Sequence, residues 1–360
     1  MMARYIFLLR HGRPELSGQG ACCIGRKSNP PLAEAGRVQA AAWQGCFEQA
    51  EQIWCSPLQR SRQTAELLTG KKVSLPVHPG LDEIDVGQWE GLSFATIREK
   101  FPERYEARGL DWALPPTGGE ELTDAADRMQ SALLSMLKSE AGDVVAVGHE
   151  GSIRALIWRL QRLNPKEDAM FRQPYGSLTV LKYEYGALTV TAAGKLPEDF
   201  PPDEEIEEIW DLCGATRQIR DHCLAVADEC LELREKLKKH QILIPWQSLR
   251  SAALLHDACR LAGREHSGLA AAFLRERGYL KVARMIALHH DPSSCSGTMD
   301  GAGVLFLADK RIWETTKVTL EERFAASLPR CDTCEARQKH QERLEAARIL
   351  QKKMMVLALV

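Results

Sequence analysis

At 360 residues the chain exceeds what one ordinary domain needs, and its 44% hydrophobic and 27% charged content is that of a globular protein, which excludes disorder. Lys+Arg 47 against Asp+Glu 49 leave a net charge of -2, so no global pull towards nucleic acid is indicated, and no apolar run nears the roughly 20 residues that span a bilayer. The five apolar residues from Tyr5 to Leu9 are too few for a signal-peptide core, so a cytoplasmic location with the 11 cysteines reduced is expected.

In chain order, residues 5–9 and 144–147 are short apolar runs bounded by Arg, Gly and His, as in buried parallel strands. Residues 52–55 and 73–77 fit shorter strands, and helical signals fall at 32–50, 62–68 and 122–138. Residues 177–183 and 187–192 form a hairpin pattern around Tyr185-Gly186. Pro197, Pro201 and Pro202, followed by acid, cannot continue a helix or a central strand, so 197–205 is predicted as a linker between domains at 1–196 and 206–360. Beyond it, Ile206, Ile209, Cys213, Ile219, Cys223, Val226, Cys230, Leu233 and Leu237 recur at steps of mostly three and four, giving an apolar helical stripe. Further helices are predicted at 249–261 and 280–289, with no competing strand pattern. The fold class is therefore a layered α/β domain followed by an all-α domain.

Chemistry-bearing residues cluster just past the strands. Arg10-His11-Gly12 follows the first strand, at the carboxyl edge where open α/β folds place ligands. Ser56-Pro57-Leu58-Gln59-Arg60-Ser61-Arg62 follows the next, Leu81-Asp82-Glu83 precedes Gly87-Gln88-Trp89-Glu90-Gly91, and Gly148-His149-Glu150-Gly151 follows the 144–147 strand. With Gly25-Arg26-Lys27-Ser28-Asn29-Pro30-Pro31-Leu32, this ordered set resembles the histidine phosphatase superfamily, also called phosphoglycerate mutase-like, over residues 3–193. The resemblance implies a three-layer fold and phosphomonoester hydrolysis with no metal at this site. His11 would attack phosphorus and become phosphohistidine, Arg10 and Arg60 would fork onto phosphoryl oxygens, and His149 would hold the transferring group, preferably as imidazolium. Glu83 would be the general acid, its pKa raised by its site, and then the base for water. Glu150 departs from the commoner His-Gly-Gly form, either adding negative charge beside the pocket or turning outwards; Arg26 and Arg62 would contact substrate or face solvent. The compact stretch from Gly87 to Glu120 looks more like the small phosphatases, in particular alpha-ribazole phosphatases, than like the mutases. A mutase-type phosphotransferase is the alternative.

In the helical half, His222 lies at the edge of the apolar stripe, His256-Asp257 closes Ala252-Ala253-Leu254-Leu255, and Asp309 follows Val304-Leu305-Phe306-Leu307-Ala308. Charged groups ending apolar runs are costly unless paired or liganded, and one divalent cation satisfies all four. The order resembles the HD phosphohydrolase superfamily over roughly residues 207–325. It implies a divalent metal (Mn, Fe, Ni, Zn or Mg) on His222, His256, Asp257 and Asp309, with His266, His289 and His290 serving a second ion. The whole reads as a bifunctional phosphohydrolase acting on small phosphorylated substrates. The alternative is a phosphatase regulated by a non-catalytic, nucleotide-sensing HD domain. No nucleic-acid or membrane partner is expected. Cys331-Asp332-Thr333-Cys334 lacks a second pair for zinc, and the tail with Leu344, Ile349, Leu350, Val356 and Leu357 is expected to pack as a terminal helix, with a homodimer contact as its other use.

Overall fold

A computed structural model describes residues 3–16, 21–70, 72–139, 141–164, 166, 172–291 and 299–357, without the side chains of Val356 and Leu357. The chain divides into two compact units between Pro197 and Glu198, the turn Glu276–Gly278 being grouped with the first.

The first unit is built on a five-stranded sheet, β1 (Arg4–Arg10), β2 (Trp54–Cys55), β3 (Val144–Gly148), β4 (Leu178–Glu184) and β5 (Ala187–Lys195), in the order β2-β3-β1-β4-β5. β1 is central and apolar from Tyr5 to Leu9 because both its faces are covered; Ile6, Leu8 and Leu9 have no exposed surface. β1 and β3 run parallel with Arg10 opposite Gly148, and β2 joins β3 in parallel with Cys55 opposite Val147. That register brings the residues after all three strands, His11, Ser56 and His149, to one edge of the sheet. α1 (Glu34–Ala41), α2 (Gln59–Leu67), α3 (Phe94–Lys100), α4 (Pro102–Leu110), α5 (Leu122–Ser139) and α6 (Glu150–Gln161) complete this unit. α5 and α6 bury Met129, Leu133, Ile153, Leu156 and Ile157 against Ile6, Leu8 and Ala146 on one face. On the other face Phe7 packs against Phe47, which adjoins Trp43.

Several sequence boundaries shift. The predicted helix at 32–50 ends at Ala41 and continues as turns, with Gly45 in the left-handed region. Residues 73–77 make only isolated bridges to Gln52 and Cys55, since Pro76 has no N–H to extend a ladder. The hairpin turn forms at Tyr185 and Gly186, both with positive φ, as a tight two-residue turn requires. The short helices α3 and α4 carried too little apolar patterning to be predicted, and α6 was not among the predicted elements although Ile153, Leu156, Ile157 and Leu160 recur at helical spacing.

The second unit comprises α7 (Asp203–Leu212), α8 (Arg217–Lys238), α9 (Trp246–Leu255), α10 (His266–Glu276), α11 (Leu280–Leu288), α12 (Gly301–Arg311), α13 (Leu320–Ser327) and α14 (Cys334–Leu357). α7 starts at Asp203, inside the stretch read as linker, because Pro202 fits the position just before a helix, and three acids occupy its first turn. The single predicted stripe is two helices: Gly214 turns the chain at φ 65 and Thr216 caps α8 by accepting the Ile219 N–H. The all-α expectation is amended by a two-residue hairpin, β6 (Ile312–Trp313) with β7 (Thr316–Lys317). α14 joins the same core through Ala347 and Leu350, while Ile349 is exposed; Val356 and Leu357 of the predicted stripe fall outside the described side chains.

Candidate active site and candidate metal centre

In the first unit Arg10, His11, Arg60, Glu83 and His149 are all buried. The rings of His11 and His149 stand 4.8 Å apart, centroid to centroid. His11 Nδ1 lies 2.7 Å from the Gly12 carbonyl, an acceptor only, so Nδ1 carries the proton and Nε2 keeps its lone pair. Burial, then Arg60 and Arg10, hold the imidazole well below its ordinary pKa, so it is neutral. Arg60 is fixed by donating to the carbonyls of Ser28 (2.8 Å) and Gly25 (3.1 Å), which gives the loop motif before α1 its role. Arg10 donates to the Gln173 carbonyl and pairs with Glu150 at 2.9 Å, while its guanidinium stacks 3.7 Å from the Tyr175 ring centre. Glu150 thus turns to the pocket.

His149 departs from its expected charge. Burial, with His11, Arg60 and Arg10 beside it, keeps it well below its ordinary pKa, so both imidazoles are neutral. Its Nε2 is 2.7 Å from Ser56 Oγ, which also accepts the Leu58 N–H. Among the described residues the Ser56 hydroxyl has no other acceptor, so its proton goes to Nε2, which assigns the His149 proton to Nδ1, a buried atom with no partner there. Glu83 accepts N–H groups from Ile84 (2.9 Å), Ser152 (3.2 Å) and Gly151 (3.3 Å) at the start of α6. Those bonds favour carboxylate, but burial outweighs them and raises its pKa. Arg26 pairs with Glu120, and Arg62 is exposed. Ser56 had been quoted only within its motif; Tyr175 and Gln173 lie in an unpatterned segment and gave no sequence signal.

In the second unit the seven predicted ligand residues converge. Asp257, His266, His289 and His290 form one group, His222, His256 and Asp257 a second, and His256, His289 and Asp309 a third, with donor atoms within 4.8 Å of one another in each. Four imidazoles are oriented alike: Nδ1 of His222, His256, His266 and His289 lies 2.6–2.7 Å from the carbonyls of Glu314, Ala253, Gly263 and Ile286. Each therefore presents the Nε2 lone pair, the arrangement typical of metal-bound histidine. The buried Nε2 atoms of His256 and His289 have no hydrogen-bond partner among the described residues, and Asp257 and Asp309 are nearly inaccessible. A donor set of imidazole nitrogens and carboxylate oxygens with orphaned lone pairs fits a divalent cation. Lys310, to which the sequence reading gave no role of its own, is buried and pairs with Asp309, and its Nζ is 3.3 Å from His290 Nδ1.

Residues 6–195 match the family model of the histidine phosphatase superfamily (branch 1), and residues 219–326 match that of the HD domain. The chain belongs to the histidine phosphatase superfamily and carries an HD domain behind the phosphatase domain. An acid phosphatase of Mycobacterium tuberculosis is 31% identical over 194 residues, which are 52% of this chain and 91% of that protein. A 6-phosphofructo-2-kinase/fructose-2,6-bisphosphatase of Caenorhabditis elegans is 29% identical over 162 residues, 44% of this chain. The chain spans only 34% of that nematode protein's length. Among solved structures, the alpha-ribazole phosphatase of Shigella flexneri is 25% identical and matches 52% of this chain and 94% of its own, with a TM-score of 0.44.

Proposed function

We propose that the first unit hydrolyses phosphomonoesters by phosphoryl transfer to His11. The observation that carries this reading is the buried grouping of two neutral imidazoles between two guanidinium groups. His11 Nε2 forms a bond to phosphorus as the ester P–O bond breaks, and Arg10 and Arg60 neutralise the phosphoryl oxygens. Glu83 gives its proton to the departing alkoxide, then takes one from the water that breaks the P–N bond and frees inorganic phosphate. His149 serves as a neutral donor through Nδ1–H, which has no other acceptor. Replacing His11→Ala should abolish phosphate release from an aryl phosphate, and a chelator should leave the intact protein's rate at this site unchanged. Undiminished release by the variant with chelator present, or loss of the His11-dependent release on chelation, would overturn the reading.

The second unit is read as a metal-dependent phosphohydrolase. His222, His256, Asp257 and Asp309 would hold one cation, with His266, His289 and His290 serving a second through the shared Asp257. When bound, such a cation polarises phosphate oxygens and lowers the pKa of water. The chain's own contribution is to fix the imidazole tautomers through backbone carbonyls and to keep the two carboxylates in a dry pocket. Small phosphorylated metabolites are the substrates proposed for both units.

A further inference from the structure

α6 begins directly after His149, and its first residue, Glu150, is the partner of Arg10. Arg154 lies four residues further on, one turn along the same face. Its guanidinium carbon sits 4.5 Å from the ring centre of Trp112, itself a buried side chain. Its Nε is buried without a hydrogen-bond partner among the described residues, and Glu150, the acid that acts on it most strongly, is bonded to Arg10. Guanidinium is always charged and carries five donors, so leaving it partly buried and unanswered is costly. The neighbouring acids are already committed, Glu150 to Arg10 and Glu83 to backbone N–H groups. Burial lowers its pKa, and although Glu150 opposes this, Arg10 and Arg172 add positive charge around it.

Building on the phosphomonoesterase reading, we propose that Arg154, stacked on Trp112, is a specificity residue that binds a second oxyanion of the substrate, so the preferred phosphomonoester also carries a carboxylate or a second phosphoryl group. Stacking leaves the edge of the guanidinium free to donate two parallel hydrogen bonds, the geometry that suits such groups.

The test uses the full chain and the ratio of kcat/KM between matched esters. Phenyl phosphate is compared with its ortho, meta and para carboxylates in one arm and with the phenylene bisphosphates in the other. The unaltered protein should favour at least one doubly anionic isomer by roughly tenfold or more, as a charge-assisted hydrogen bond supplies. Arg154→Gln should bring that ratio close to one, and Arg154→Lys should restore part of it. Preference confined to one arm identifies the second group. A ratio near one in the unaltered protein, or a preference that survives Arg154→Gln, sinks the proposal and leaves Arg154 a packing partner of Trp112. A purely structural loss would lower both rates and leave the ratio intact, which also counts against it. Calorimetry on His11→Ala separates the two readings, since it measures the same affinity difference without turnover. If phenyl phosphate is not hydrolysed yet this difference persists and depends on Arg154, the esterase reading fails while the subsite stands.

Discussion

His11 and Glu83 are driven to complementary states by the same burial. Desolvation removes charge from both, leaving an imidazole that can attack and a carboxyl group that can donate. The pH dependence has a definite sign. The reaction needs His11 deprotonated, so the ascending limb of kcat/KM lies well below 6.5, the ordinary histidine value. It needs Glu83 protonated, so the descending limb lies above 4.5, the ordinary glutamate value. The optimum falls between these two limbs, and Glu83→Gln should remove the alkaline limb, whereas the substrate's own titration affects both proteins equally. With alkyl phosphates, whose leaving group needs a proton, this variant should lose roughly 100-fold or more in rate. Aryl phosphates with acidic phenols should lose far less. A uniform loss across leaving groups would count against Glu83 as the acid.

Among the elements, the junction of β1 with α1 controls the position of the nucleophile. A Cβ on Gly12 would lie 2.2 Å from the Gly36 carbonyl oxygen, and the Gly12 N–H is held by Thr64 of α2 at 3.0 Å. Gly12→Ala must push α1 away or displace His11. Urea unfolding should report a loss of about 1–3 kcal/mol, with kcat falling because the His11 anchor is the Gly12 carbonyl itself. Unchanged stability would mean that the approach is softer than its geometry. α6 has a similar constraint: a Cβ on Gly151 would meet the Glu83 carboxylate at 2.6 Å, so the glycine after Glu150 makes room for the acid. In the second unit, the sites on α8, α9, α11 and α12 come together because each ligand sits where an apolar stripe meets a helix end or the bundle interior.

At the scale of the molecule, the proposed phosphate chemistry would rest on two physical bases, fixed guanidinium charge in the first unit and a carboxylate–imidazole nest in the second. His256→Ala combined with Asp257→Ala should remove bound divalent metal, read by elemental analysis of the purified protein, while phosphate release at His11 persists. Stoichiometric metal in the double variant would overturn the assignment. Chelation of the intact protein should lower the thermal midpoint of the HD unit, since the buried lone pairs of His256 and His289 and the two buried carboxylates then lose their counter-charge.

The ordered motifs around Arg10, His11, Arg60, Glu83 and His149 carried the resemblance to the histidine phosphatases, and the phosphoryl-transfer roles expected of these residues came from it, in keeping with a dianion's need for fixed cations and a nucleophile. The same holds for the HD ligands, since charge closing an apolar run is intelligible only with a partner. Local patterning also located β1, β3, the hairpin β4–β5 and most of α5 and α8. What it could not supply depends on contacts distant in the chain. The neutral state of His149 follows from burial and from Ser56, 93 positions away. The inward turn of Glu150 follows from Arg10, and the idle guanidinium of Arg154 from Trp112. Desolvation and partner geometry belong to the packed protein, so protonation and specificity are decided only when the strands and helices meet.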